Sequence, residues 1–191
     1  MLSMLKSRMP HLFLYACIVL FLYSGCEYSR HTTRSKEPAL LVKSLAILPF
    51  NNRSQHIEAG QIMTDLFYTE LVVQDKFSLV QPNIVQQLVS EHSSAVAEII
   101  ETHSLRDLAS TLSADAIVHG TVTEYYYKKG IREKPVVGLD VKLISIQTGN
   151  VIWAGSYTRE ELKVLFYDGS LNSTAQKLCR KIAGQIERFF E

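Results

Sequence analysis

The sequence lacks an excess of charge of either sign. Its 191 residues hold 20 Lys and Arg against 19 Asp and Glu, which gives a formal net charge of +1. Nucleic-acid binders usually carry a concentrated basic surplus, so this balance argues against that class of function. Hydrophobic residues make up 47% of the chain and charged residues 20%. That composition is typical of a globular protein.

Cysteine is also scarce, with only Cys17, Cys26 and Cys179 in the chain. The first two fall in an N-terminal segment that is predicted to be processed. Only Cys179 is then left as a free thiol, so no disulfide can form within the mature chain. Cys179 lies in an amphipathic helical pattern, which favours a buried and unreactive thiol over a reactive one.

Motifs for common chemistries are missing. The chain has no GxxxxGK[ST] phosphate loop, GxGxxG, HExxH or GxSxG, and its histidines lack paired ligand spacing. His119 lies in a strand pattern and is predicted to be a structural histidine with satisfied hydrogen bonds. Glu160 and Glu161 are adjacent, so they point apart and are predicted to be solvated. We therefore expect no catalytic residue, cofactor or metal, and an enzyme is the least favoured alternative.

The N-terminus has the pattern of a secretory signal over residues 1–25. Lys6 and Arg8 precede a 12-residue apolar run, Leu12–Tyr23, and small residues follow it. A basic region, a short apolar region and small residues before a cut site define such signals. A membrane-spanning helix needs about 17–25 apolar residues, so this run is short for one. A plain N-terminal anchor is the alternative.

The tripeptide Ser24-Gly25-Cys26 resembles the processing site of bacterial lipoproteins. The resemblance implies that Cys26 carries the lipid and becomes the new N-terminus. Tyr23 stands where that family usually has an aliphatic residue. Glu27, rather than Asp, follows the cysteine, which implies the periplasmic face of the outer membrane. Several acyl chains on one cysteine would give firm anchoring, because each buried methylene contributes about 0.8 kcal/mol.

The rest of the chain is predicted to be a lipidated tether over residues 26–43 and a single domain over residues 44–191. Apolar periodicity in the domain predicts the order β-α-β-α-α-β-β-β-α. This is an α/β (α+β) class with a mixed β-sheet and helices packed on it. The predicted strands are 44–50, 77–80, 116–127, 137–143 and 151–157, and the predicted helices are 59–75, 82–92, 104–112 and 168–191.

Three turn and strand residues have specific predicted roles. Gly120, inside a strand pattern, predicts a close approach or a bulge. Asp115, just before that strand, is predicted to hold the preceding turn through its carboxylate. Thr148-Gly149-Asn150 supplies residues that tolerate positive φ, which a tight hairpin needs.

Three stretches of the domain resemble CsgG-type and TolB N-terminal-type domains. They are LAILPF at 45–50, ADAIVHGTV at 114–122 and VKLISIQTGNVIW at 141–153. The resemblance implies their mixed-sheet fold and a place among envelope lipoproteins, several of which form rings. The matched stretches are sheet and turn signatures, not catalytic residues. The predicted hairpin tip at residues 128–135 is too short for a CsgG-like membrane pore, so the size is closer to PelC or LpoB.

Three features are candidate contact sites. The first is the basic hairpin tip formed by Lys128, Lys129, Arg132 and Lys134, which is either a soluble tip or a contact for anionic lipid or an acidic partner. The second is Tyr126, which strand alternation places opposite Tyr125 and Tyr127. It is either packed in the core or paired across strands, or it lies exposed at a subunit interface. The third is Trp153, the only tryptophan. It is either a core residue or an interface anchor.

These features lead to one functional hypothesis and one close alternative. The first is an outer-membrane lipoprotein that self-assembles or joins an envelope machine and supports export of a polysaccharide or a protein fibre. The alternative is an activator that docks on a peptidoglycan synthase. Both are non-catalytic, and both act through protein partners and a lipid anchor.

Overall fold

The computed structural model describes residues 27–33, 42–91, 112–130, 133–161 and 169–191. Seven strands and three helices lie within these residues. The strands are β1 (Glu27–Thr33), β2 (Ser44–Ile47), β3 (Asn51–Asn52), β4 (Ser78–Leu79), β5 (Ala116–Lys128), β6 (Lys134–Ser145) and β7 (Val151–Glu160). The helices are α1 (Ala59–Gln74), α2 (Pro82–Glu91) and α3 (Leu171–Phe189).

The described strands form one mixed sheet in the order β1-β7-β6-β5-β2-β4, and the short β3 also pairs with β5. β2 runs parallel to β4 and β5, whereas β5, β6 and β7 form an antiparallel meander. This confirms the predicted mixed sheet with helices packed on it. Nearly all of the predicted helix at 104–112 lies outside the described residues.

Burial on both faces of the sheet explains the apolar run that forms β2. Leu45 and Ile47 belong to the larger core cluster, which the sheet shares with α1 and α3. Ala46 and Leu48 belong to a smaller cluster on the opposite face, which includes Val85 of α2. A strand covered on both faces needs continuous rather than alternating apolar residues. The prediction of a central buried strand is therefore confirmed, although the regular strand ends at Ile47.

The segment predicted as a tether contributes a strand to the sheet. Residues Glu27–Thr33 form β1, which pairs antiparallel with β7 from Trp153 to Arg159. The remaining tether residues, 34–41, lie outside the described part of the chain. Tyr28, Thr32 and Thr33 are residue types that favour strands. Pairing also satisfies backbone N–H and C=O groups that β7 would otherwise present at a sheet edge.

Local structure agrees with most of the specific residue predictions. Gly120 lies against the ring of Phe50, and a Cβ there would be 2.7 Å from the Phe50 Cδ1 atom. Gly149 has a φ of +74° in the β6–β7 turn. Asp115 differs from its predicted role, because its carboxylate accepts hydrogen bonds from Lys43 and Ser44 at the start of β2 rather than from its own turn. The reason is the parallel pairing of β2 with β5, which brings the two strand starts together.

Cys179 is fully buried in α3, as the helical pattern predicted. Burial raises the pKa of its thiol far above the usual range. The thiol Sγ lies 3.9 Å from the carbonyl oxygen of Met63 in α1. The thiolate is the reactive form of cysteine, so this thiol is protected from alkylation and oxidation.

Candidate functional site

The predicted basic turn lies at the tip of the β5–β6 hairpin, where Lys128 pairs with Lys134 across the two strands. Both lysines share one carboxylate that sequence reasoning did not connect with them. The Nζ of Lys128 lies 3.0 Å from Oε2 of Glu160, and the Nζ of Lys134 lies 3.2 Å from Oε1. Glu160 ends β7, and the β6–β7 register brings it beside the tip.

These ion pairs reduce the positive charge that the tip offers to a partner. Hydrogen bonds from Lys128 and Lys134 hold the pKa of Glu160 below its usual range, despite some desolvation. The hydrogen bond to Glu160 likewise raises the pKa of Lys128. Lys129 is exposed, while Arg132 lies outside the described residues. Within the part of the tip that is described, Lys129 is therefore the best placed cation for an external contact.

The three consecutive tyrosines alternate as predicted. Tyr125 is buried, and its hydroxyl donates a hydrogen bond to Oδ1 of Asn172 at the start of α3. The hydroxyl of Tyr127 accepts the backbone N–H of Leu171 at 3.3 Å. Tyr126 has the opposite orientation to its neighbours and is 41% exposed. The outer pair therefore fixes the start of α3, while Tyr127, at 40% exposed, is as available at the surface as Tyr126.

A loop that sequence reasoning treated only as polar lies beside this hairpin. The ring of His56 makes an edge contact with the ring of Tyr125, with centroids 5.1 Å apart. The side-chain amide of Asn52 holds the loop by donating to the carbonyls of His56 and Ile57. Ile57 is 94% exposed. One apolar residue in a polar loop is a weak signal, and only the fold shows that it lies near the tyrosines.

We call the surface formed by Ile57, Tyr126, Tyr127, Lys128 and Lys129 the hairpin end. It combines exposed apolar and aromatic side chains with basic ones. It lies where β5 ends and α3 begins, and the loop between β3 and α1 approaches it at Tyr125. Such an arrangement can bind a surface or a partner.

Trp153 is not available as a surface anchor of the domain. Its side chain is only 2% exposed, and its ring stacks on Tyr157 with centroids 6.4 Å apart. Both residues lie on the face of β7 that packs into the larger core cluster. Strand alternation explains this placement, because positions two and four residues apart share one face. The core interpretation of Trp153 is therefore correct, and the anchor interpretation is wrong for the isolated domain.

Two acid–base side chains differ from their predicted states. Glu161 is buried rather than solvated, and its Oε1 lies 2.8 Å from Lys177 Nζ and 3.0 Å from Arg159 Nε. His119 is only partly satisfied, since Nε2 lies 3.5 Å from the Asn51 amide nitrogen while the buried Nδ1 has no hydrogen-bond partner. Desolvation, followed by the charge of Lys142, lowers the pKa of His119. The imidazole is therefore neutral near pH 7.

Two searches over the described residues give negative results. No cluster of three or more His, Cys, Asp or Glu side chains there could hold a metal ion. None of the helices in the described ranges is long and apolar enough to cross a membrane.

Comparison with known families gives a direct result. The family model described as peptidoglycan-synthase activator LpoB matches residues 27–159. The match covers most of the chain and includes β1 and the β5–β6–β7 meander. The protein belongs to the LpoB family. A sequence comparison with curated proteins finds no match, and the comparisons do not confirm the narrower resemblance to CsgG-type and TolB-type domains.

Solved structures extend the likeness of the fold. The PelC dodecamer from Paraburkholderia phytofirmans aligns with a TM-score of 0.61 and 21% identity, over 84% of this chain and 97% of that one. The lipoprotein GNA1162 from Neisseria meningitidis aligns at 0.58 and 19%, over 76% and 99%. The hypothetical protein CT253 from Chlamydia trachomatis aligns at 0.55 and 15%, over 78% and 98%. At these identities the likeness concerns the fold.

Proposed function

We propose that this protein is a non-catalytic lipoprotein of the cell envelope that activates a peptidoglycan synthase by docking on it. The observation that carries the proposal is the family match over residues 27–159. From sequence, the first functional hypothesis was an envelope protein that self-assembles or joins an export machine, and the alternative was an activator that docks on a peptidoglycan synthase. Family membership reverses that order.

The family match favours action by contact with a synthase rather than by chemistry on a substrate. Activation would then come from binding one conformation of a partner better than another, which shifts the partner's population.

Lipid anchoring at Cys26 is the first part of the proposal to test. A Cys26→Ala variant is expected to move from the outer-membrane fraction to the soluble periplasmic fraction, because its lipid attachment site is lost. Fractionation followed by immunoblotting measures the change, with Cys179→Ala as the matched control, since that buried thiol carries no proposed lipid. Retention of Cys26→Ala in washed membranes would show that the anchor lies elsewhere.

Partner identity separates the two non-catalytic hypotheses. Affinity capture of the tagged chain from solubilised envelope is expected to recover a peptidoglycan synthase, and the purified pair should show faster glycan polymerisation or cross-linking than the synthase alone. Recovery of a secretion or export complex without a synthase would reject the activator proposal.

A ring assembly is the second candidate function. The observation that favours it is the shared fold with the PelC dodecamer over 84% of this chain. A ring would be heterologous, with two different surfaces of each copy in contact, so it would grow until it closes. Light scattering of the lipidated chain in detergent, before and after capture of a partner, would separate a ring from a single copy.

A further inference from the structure

The N-terminal segment joins the sheet at the hairpin end. β1 begins at Glu27, whose Cα pairs with that of Arg159 near the end of β7. Through β6, that position is level with Tyr125 on β5. Glu27, the residue that follows Cys26, is therefore level with a point on β5 three residues before Lys128. This offset is about 10 Å along the strand direction. β1 runs away from the tip, so the chain before Glu27 reaches the domain from the hairpin side.

Exposed apolar side chains concentrate at the same end. The large hydrophobic residues that the described surface exposes are Ile57, Val72, Val73, Ile84, Tyr126 and Tyr127, and three of these six belong to the hairpin end. Ile57 is 94% exposed and Tyr127 is 40% exposed. Tyrosine rings favour the interface between water and lipid, where the hydroxyl remains hydrated and the ring contacts acyl chains.

The charge of the hairpin tip is modest and positive. Within the tip itself, Lys128, Lys129 and Lys134 stand against Glu133 and Glu160, which leaves a net charge of +1, while Glu58 beside Ile57 and Glu124 on β5 add negative charge nearby. Such a surface would bind anionic lipid weakly by itself. A lipid anchor on Cys26, next to the start of β1, would raise the effective concentration of this surface at the bilayer. Weak contacts would then be enough to orient the domain.

We propose that the hairpin end faces the phospholipid bilayer, with Ile57, Tyr126 and Lys129 at the level of the headgroups. This inference rests on the proposed lipid anchor at Cys26 and adds the membrane-facing surface of the domain. The occupant is a bilayer that contains anionic phospholipid, because the chain enters the domain at this end and the charge of the hairpin tip is positive. The opposite end, at the β6–β7 turn, then points away from the membrane.

Site-specific fluorescence can test this orientation on the full-length lipidated chain. The chain is reconstituted in vesicles of phosphatidylethanolamine and phosphatidylglycerol that carry a nitroxide on some headgroups. Bimane is attached to Ile57→Cys in one sample and to Gln147→Cys in another, and Gln147 is exposed in the β6–β7 turn. The loop that carries Ile57 is level with Val137, so the stretch of β6 from Val137 to Ser145 separates the two positions by about 27 Å. Cys179 is buried with a raised thiol pKa, so it should not take the label.

The expected result is several-fold stronger quenching of bimane at position 57 than at position 147. Adding Lys129→Glu and Tyr126→Ser to the Ile57→Cys chain should lower that quenching, because both headgroup contacts are weakened. Lys142→Glu is the matched charge reversal, since Lys142 is exposed on β6 far from the tip, and it should leave the quenching unchanged.

Three results would overturn the inference. The first is equal quenching at the two positions, and the second is stronger quenching at position 147. The third is an unquenched label at position 57 together with a disulfide between two copies of the unlabelled Ile57→Cys chain, since the surface would then be a protein interface. Fractionation distinguishes failure of the anchor from failure of the orientation. If Cys26→Ala releases the chain from membranes, but the label at position 57 of the anchored chain is not quenched, only the orientation is rejected.

Discussion

Gly120→Val is expected to lower the free energy of unfolding by about 3 kcal/mol, because inserting atoms into a close-packed core forces strain on its neighbours. A Cβ at position 120 would lie 2.7–2.8 Å from three atoms of the Phe50 ring. Real Cβ atoms do not approach carbon atoms so closely, so the ring or β5 must move. Urea denaturation followed by circular dichroism measures the change.

The ring of Phe50 has little freedom to accommodate that side chain. It packs against Phe67 of α1, with centroids 5.5 Å apart. The backbone N–H of Phe50 donates to Oγ1 of Thr64, and a Cβ at Gly60 would lie 2.6 Å from the Phe50 carbonyl oxygen. The strand end, the ring and α1 are therefore fixed together, which is the physical reason for glycine at both positions.

A double-mutant cycle tests the mechanism rather than the size of the effect. Phe50→Ala removes the ring, so Gly120→Val should cost much less in that background, and the two changes should be non-additive. Gly184→Ala is the matched control, because the nearest atom to a Cβ there is 3.8 Å away and alanine is favoured in a helix interior. Additive effects of Gly120→Val and Phe50→Ala would contradict the proposed clash.

The sheet was largely predictable from sequence because its strands follow simple rules of burial. The continuous apolar run at 45–48 predicted a strand covered on both faces, and alternation over 137–143 predicted a meander strand. β1 was not predictable in this way, since EYSRHTT has no apolar periodicity. Its place in the sheet depends on the open edge of β7, which is a property of the assembled fold.

The candidate site was predictable in composition but not in geometry. The sequence indicated Lys128, Lys134 and Tyr126 as surface residues. It did not indicate that Glu160, far along the chain, neutralises part of the lysine charge. Ile57 was also missed, because nothing in a loop sequence shows which surface the loop joins. Local patterns predict exposure, whereas neighbours across the sheet follow from strand register.

Asp115→Ala is expected to lower the free energy of unfolding by about 2 kcal/mol at neutral pH, since hydrogen bonds to a charged group are stronger than neutral ones. Oδ2 of Asp115 accepts from the backbone N–H of Lys43 at 2.8 Å and from the backbone N–H and hydroxyl of Ser44, both at 2.9 Å. These bonds connect the start of β2 to the start of β5. The groups are partly exposed, so water compensates for some of the loss.

The pH dependence follows from the pKa of this carboxyl group. Desolvation raises that pKa, but the hydrogen bonds from Lys43 and Ser44 outweigh it, so the folded value is below the ordinary 3.8. The folded state therefore binds the proton less readily than the unfolded state does. The contribution of Asp115 is fully present above the unfolded pKa and is lost as the pH falls through the folded pKa.

Comparison of wild type and variant across this range isolates Asp115 from the other acidic groups. Glu160 and Glu161 also have lowered pKa values, so the wild type will lose stability in acid for several reasons. The difference in unfolding free energy between wild type and Asp115→Ala should nevertheless be largest near neutrality and shrink towards zero at the acid end. Ser44→Ala removes one of the three donors and should show a smaller difference with the same pH trend. A difference that stays constant with pH would mean that the charge of the carboxylate does not contribute, and that the Asp115 side chain stabilises the fold equally well when it is protonated.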